Sequence, residues 1–184
     1  MFWWVWLLIA IIVFIIILLI YYFNRIVVLG NRIDNAFSQI DVQLKKRNDL
    51  IPNLIETVKG YAKHEKSIFE DLAKARSEMT KAKDIKGKLK ASDSVSNALK
   101  SIFAIAENYP NLKANENFME LQQELSDVES KIAYTRQFFN DSILVYNNTV
   151  MKFPGNIFAG LFGKSQKDYL KTNDTERKVV KVKF

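Results

Sequence analysis

The chain has 184 residues, with no Cys, one His, six Gly and three Pro, and its 27 Lys and Arg against 20 Asp and Glu give a net charge of +7. Without Cys there is no disulfide, thiolate metal site or Cys nucleophile, and a single His cannot build a His-rich metal centre. So few Gly and Pro favour long helices over a strand-and-turn fold. Residues 1–23 carry no charged side chain, so the positive excess falls on the remainder. It suits an anionic surface, lipid headgroups ahead of nucleic acid.

Phe2 to Phe23 is an unbroken apolar run rich in Ile and Leu, long enough to cross a hydrocarbon core of about 30 Å as a helix. Trp3, Trp4 and Trp6 mark one end and Tyr21 and Tyr22 the other, as in the aromatic belts of membrane interfaces. A cleaved signal peptide would need a basic n-region and a small-residue cleavage site, and neither is here. Arg25, Arg32, Lys45, Lys46 and Arg47 follow the run and nothing positive precedes it. The positive-inside bias then places the short N-terminus outside and the polar part in the cytoplasm of a bacterial cell.

From Asn24 the helical pattern begins almost at once. A seam at steps of four and three runs Ile33, Phe37, Ile40, Leu44, Arg47, Ile51, Leu54, Val58, Tyr61, Glu65, Ile68, Leu72, Ala75, Met79, Ala82. Such spacing puts these side chains on one stripe that partner helices must cover. It predicts a helix to Lys83, about 90 Å long from Asn24 at the ordinary helical rise. Pro52 should kink that helix; if the chain turns there instead, the domain has four helices rather than three.

Lys81–Ser94 reads as a lysine-rich connector, with Ser92, Asp93 or Ser94 capping the next helix. That helix has the seam Val95, Ala98, Ile102, Ile105, Tyr109 and stops at Pro110. Asn115 is the expected N-cap of a third, with the seam Phe118, Leu121, Leu125, Val128, Ile132, Thr135, Phe139, Ser142, Tyr146, ending before Pro154. Phe153–Gly163 is apolar, aromatic and too short to span; it packs over the bundle end, dips into the membrane interface or grips a neighbouring subunit. The tail from Lys164 has seven basic residues against three acidic and reads as mobile. The expected fold is all-α: an anchor over 1–23, an antiparallel bundle with a short C-terminal helical segment over 24–163, and a basic tail over 164–184.

Catalytic and metal motifs fail on inspection. His64-Glu65 lacks the second His four residues on, where Ile68 stands, so the zinc-protease pattern is broken. Glu116, Glu120 and Glu124 share a helix face, but di-iron bundles also need Glu-x-x-His pairs that one His cannot supply. There is no phosphate loop or nucleophile elbow, and the basic stretch Lys59–Lys90 matches no nucleic-acid module. Arg47 stands out because it occupies a seam position. A guanidinium there must snorkel out or meet a carboxylate, with Asp41, Asp49, Glu56 and Glu129 as candidates. The alternative is a docking site built from Gln43, Lys45, Lys46, Arg47, Asn53 and Glu56.

Five segments resemble the signatures of the bacterial LemA family. They are Ser38-Gln-Ile-Asp-Val-Gln-Leu-Lys-Lys-Arg-Asn-Asp-Leu-Ile-Pro-Asn-Leu54, Val58-Lys-Gly-Tyr-Ala-Lys-His-Glu65, Tyr109-Pro-Asn-Leu-Lys-Ala-Asn-Glu-Asn-Phe118, Arg136-Gln-Phe-Phe-Asn-Asp141 and Phe153-Pro-Gly-Asn-Ile-Phe-Ala-Gly-Leu-Phe-Gly163. Asn48 departs from the pattern, which more often has an aromatic there. The resemblance implies a single-pass anchor and an all-helical bundle, with no established catalytic residue. The occurrence of family members beside membrane proteases makes an accessory role conceivable. Together these readings lead to a non-enzymatic, cofactor-free scaffold that self-associates or organises partners at the membrane, or else an adaptor for another membrane protein. Its candidate contacts are Gln43, Lys45, Lys46, Arg47, Asn53 and Glu56, together with Phe153, Ile157, Phe158, Leu161 and Phe162.

Overall fold

The computed structural model describes residues 2–62, 65–82 and 84–170. Among these residues there are six helices: α1 (Trp3–Lys59), α2 (Lys66–Lys81), α3 (Ile85–Ala106), α4 (Pro110–Lys113), α5 (Glu116–Met151) and α6 (Gly155–Leu161). No strand occurs among the described residues, and the chain is all-α. It divides into two compact units, Ser38–Thr135 and Met1–Phe37 with Arg136–Phe184. Both α1 and α5 contribute to each.

In the unit Ser38–Thr135, α1 continues through Pro52 without a break and ends at Lys59. The helix expected to reach Lys83 therefore breaks at Gly60, a residue that stabilises a helix less than any other except proline. The backbone N–H groups of Tyr61 and Ala62 both turn back onto the Val58 carbonyl, at 3.0 and 2.9 Å. Ala62 then takes the next core position at 1% exposure, while Tyr61 is 42% exposed. Position 83, where the helix was expected to stop, and His64 lie outside the described residues.

The connector is also shorter than the lysine density implied. Asp84, not Ser92, Asp93 or Ser94, caps α3, its carboxylate accepting from the Gly87 N–H at 3.3 Å. Ser92 thereby falls inside the helix and is buried. Asn115 does cap α5, accepting from the Phe118 N–H at 3.0 Å. The α5 seam follows the one read from the sequence except at Leu121, which is half-buried: Phe118, Leu125, Val128, Ile132, Thr135, Phe139, Ser142 and Tyr146 are all buried.

Partner residues fix the helix directions. Asp41 pairs with Lys88 and Arg47 reaches Ser92, so α1 and α3 run parallel. Arg47 meets Glu129 while Tyr61 accepts from Asn115, so α5 runs against α1. Asn48 meets Arg76 and the Lys59 ammonium lies over the Phe69 ring, so α2 also opposes α1. The result is an up-down-up-down bundle of four helices, its turn coming at Gly60 and not at Pro52.

In the unit Met1–Phe37 with Arg136–Phe184, the start of α1 is apolar on every face. Its most apolar stretch is long enough to cross a membrane and has none of its residues buried. Farther on, Ile26, Leu29, Ile33 and Ala36 are buried, as are Phe139, Ile143, Tyr146 and Val150 on α5. The Arg32 guanidinium lies 5.1 Å from the Phe138 ring centre. Residues 164–170 are held along α5 by two asparagines. Asn147 exchanges hydrogen bonds with the Lys167 backbone (2.9 and 2.8 Å), and Asn140 does the same with Leu170 (3.1 and 2.9 Å). The start of the tail is thus tied down through Leu170; residues 171–184, the rest of the segment read as mobile, lie outside the described residues.

Pro52 poses a definite problem for α1, because proline cannot donate to the Asn48 carbonyl four residues back. The Arg76 guanidinium of α2 supplies a donor, its Nε lying 3.3 Å from that oxygen. Replacing Arg76 with Ala should cost about 1.5 kcal/mol in thermal melts. The loss should shrink in a Pro52→Ala background, where residue 52 regains its own N–H. Equal losses in both backgrounds would show that Arg76 does not serve the orphaned carbonyl.

Candidate functional site

Arg47 is the largest fully buried side chain among the described residues, at 0% exposure. Position 47 lies on the core stripe of α1 between Leu44 and Ile51, so its guanidinium points inward. One terminal nitrogen donates to Glu129 Oε2 at 2.5 Å and to Ser96 Oγ at 2.9 Å. The other donates to the Ser92 carbonyl at 3.0 Å and to the Ser92 hydroxyl. Ser96 in turn donates to Glu129 Oε1 at 2.8 Å. Three helices therefore meet on one cation, one arm of the arginine fork on the Glu129 carboxylate of α5 and the other on Ser92 of α3. The two partners are unequal, since the Glu129 side chain is 50% exposed while that of Arg47 is 0% exposed. Water solvates the carboxylate, and burial falls on the guanidinium.

Of the readings open for Arg47, the internal pair is the one this geometry builds, and Glu129 on α5 supplies the carboxylate. Nothing in the spacing pointed to Ser92 and Ser96. Their only signal was two small hydroxyl residues four apart on what became the inner face of α3.

Glu65, the other polar residue in the expected seam, precedes α2 and accepts from the Tyr109 hydroxyl at 3.3 Å. Desolvation first, and then the charge and hydrogen bond of Glu65, push the Tyr109 phenol above its ordinary pKa.

The remaining α1 candidates face outward. Lys45, Lys46, Asn53 and Glu56 are exposed, and Gln43 is half-buried. The Gln43 and Asn48 side-chain oxygens are buried without a hydrogen-bond partner. Glu116 and Glu120 are exposed on α5 and Glu124 is half-buried.

The C-terminal aromatic segment has two faces. Phe158 stacks on Tyr22 with ring centres 5.0 Å apart and planes 8° apart, and Phe162 meets Phe23 edge-on at 5.1 Å. On the other face Phe153, Ile157 and Leu161 are 80%, 60% and 68% exposed. Of the anchor residues, Trp3, Trp4, Trp6 and Tyr21 are exposed and Tyr22 is half-buried under Phe158.

The sequence pattern of the LemA family matches residues 36–184. The chain is also similar to the magnetosome protein MamQ of Magnetospirillum gryphiswaldense, 26% identical over 173 residues, which cover 80% of this chain and 64% of that protein. The magnetosome protein MamQ 2 of Paramagnetospirillum magneticum is 25% identical over the same shares. Protein LemA of Metamycoplasma hominis is 28% identical over 136 residues, which cover 70% of this chain and 59% of that one. The chain thus spans a little under two thirds of the length of these curated relatives.

Removing the Glu129 carboxylate strands a buried cation, whereas removing both charges does not. Glu129→Ala should therefore lower stability by about 2 kcal/mol, a figure reduced from that of a fully buried pair because Glu129 is half exposed. The double change Arg47→Met with Glu129→Leu should recover most of it. Urea or thermal unfolding of the full chain in mild detergent checks both, and a double variant no more stable than Glu129→Ala would contradict this reading.

Proposed function

The chain belongs to the LemA family, and from that premise we propose a non-enzymatic, membrane-anchored helical scaffold that self-associates or organises partners at the cytoplasmic face of a bacterial membrane. One observation carries the reading. Arg47 is consumed inside the bundle, while its neighbours Lys45, Lys46, Asn53 and Glu56 stand exposed along the outer side of α1. A stripe with both charge signs orients and selects a partner more than it supplies raw affinity. The apolar start of α1 supports the anchor, and Arg25 and Arg32 after it favour a cytoplasmic helical domain.

The alternative is an accessory subunit that uses the same stripe on another membrane protein. It is favoured by the mixed charge of a surface that suits a transient contact. The two differ in what is bound, a second copy or a different chain.

The test compares wild type with Lys45→Glu/Lys46→Glu after mild extraction, by light scattering with the detergent mass subtracted. Self-association should weaken about tenfold with helicity unchanged. A monodisperse wild-type monomer would refute self-association. A co-purifying protein lost on charge reversal would then establish the accessory reading.

A further inference from the structure

Helix α6 lies against the last residues of the apolar run. Phe158 and Phe162 pack on Tyr22 and Phe23, and Gly155 and Ala159 are buried. The tight turn out of α5 requires glycine at 155, and the same bare Cα lets the Tyr22 ring come close. A Cβ there would stand 2.1 Å from the Thr149 carbonyl oxygen and 3.1 Å from the Tyr22 ring. The opposite side of this segment carries Phe153, Ile157 and Leu161, spaced by four and mostly exposed. Lys152 and Lys164 flank it, both exposed. Isolated exposed apolar residues are ordinary, but Phe153 just before this short helix and Ile157 and Leu161 on it, fixed at the foot of a span, form a face suited to the acyl boundary.

Beside this face is a cleft of about 120 Å³ whose lining includes Tyr21, Arg25, Asn148, Thr149, Lys152 and Phe153. No carboxylate lines it, and two cations do. Neither Arg25 nor Lys152 forms an ion pair among the described residues. Arginine offers a planar fork to a phosphate and lysine a point charge. The Asn148 amide can add a neutral donor, and the Phe153 ring closes the apolar side.

We propose that this cleft binds the phosphate of an anionic membrane phospholipid through Arg25 and Lys152, with Phe153, Ile157 and Leu161 entering the acyl–glycerol boundary beside it. The assignment rests on Trp3–Phe23 being the anchor. Tyr21 and Tyr22 close that run, so the cleft sits at the depth of the lipid phosphates. A soluble anion would need no apolar face next to its site. The lipid explains both features together.

The full-length chain is reconstituted into vesicles of phosphatidylcholine mixed with phosphatidylglycerol, extracted gently, and its retained lipids are weighed by native mass spectrometry. Wild type should retain phosphatidylglycerol in preference to phosphatidylcholine. Arg25→Gln with Lys152→Gln should lower that preference about thirtyfold, as expected for two basic residues at a membrane surface. Helicity and resistance to alkaline carbonate should stay unchanged, and the charge-conserving pair Arg25→Lys with Lys152→Arg should keep most of the preference. Undiminished retention in the glutamine variant, or no preference in wild type, would overturn the site. Displacement of the bound lipid by inorganic phosphate would reassign the cleft to free anions and overturn the lipid. Release of wild type by carbonate would instead remove the anchor, and the proposal with it.

Discussion

The bundle depends on a cation placed where a hydrocarbon is expected. A heptad seam of Ile, Leu and Val stabilises helix contact but tolerates a slip by a whole repeat, because each layer resembles the next. Arg47 removes that freedom. Its guanidinium finds Ser92 and Ser96 on α3 and Glu129 on α5 at one register only. Any slip would leave a buried charge without acceptors, a cost of several kcal/mol. The interaction contributes specificity more than net stability, since a well-packed apolar trio could be as stable.

The same logic, a polar group that must find its partner, recurs along the chain. Pro52 orphans the Asn48 carbonyl, and Arg76 approaches it from α2. The tail stretch has no strand to pair with, and Asn140 and Asn147 pair with its backbone at Leu170 and Lys167 instead. Gly155 leaves open the space in which α6 comes against α1. Each contact joins elements distant in sequence, and each adds direction to packing that apolar burial alone leaves loose.

Much of this was legible in the sequence because it is periodic. The apolar run, most of the α5 seam and the Asn115 cap follow from spacing, and the cost of burying charge marked Arg47 as needing a carboxylate, though it left four candidates and a docking role open. The break at Gly60 did not. The heptad phase carries across the turn with hardly a slip, so periodicity alone could not separate one helix from two, and Pro52 was the more conspicuous interruption. Asp84 was passed over as a cap because the lysines around it read as a loop. Ser92, Ser96, Asn140 and Asn147 act through single hydrogen bonds to distant partners, and such bonds leave no period to detect. The two faces of the Phe153–Gly163 segment were open in the sequence because apolar residues occur on both.

Membership of the LemA family, an apolar helix long enough to cross a membrane, a bundle locked from within and an outer face left polar form one coherent account. Its central claim is that Arg47 is spent inside the bundle, setting register with Glu129 and touching no partner, while the exposed stripe beside it makes the contacts. The direct test is the mass of full-length Arg47→Met/Glu129→Leu protein, extracted mildly and measured by light scattering beside wild type. The account expects an assembly of unchanged mass with unchanged helicity. Loss of the assembly with the helices intact would make Arg47 a contact residue and contradict it.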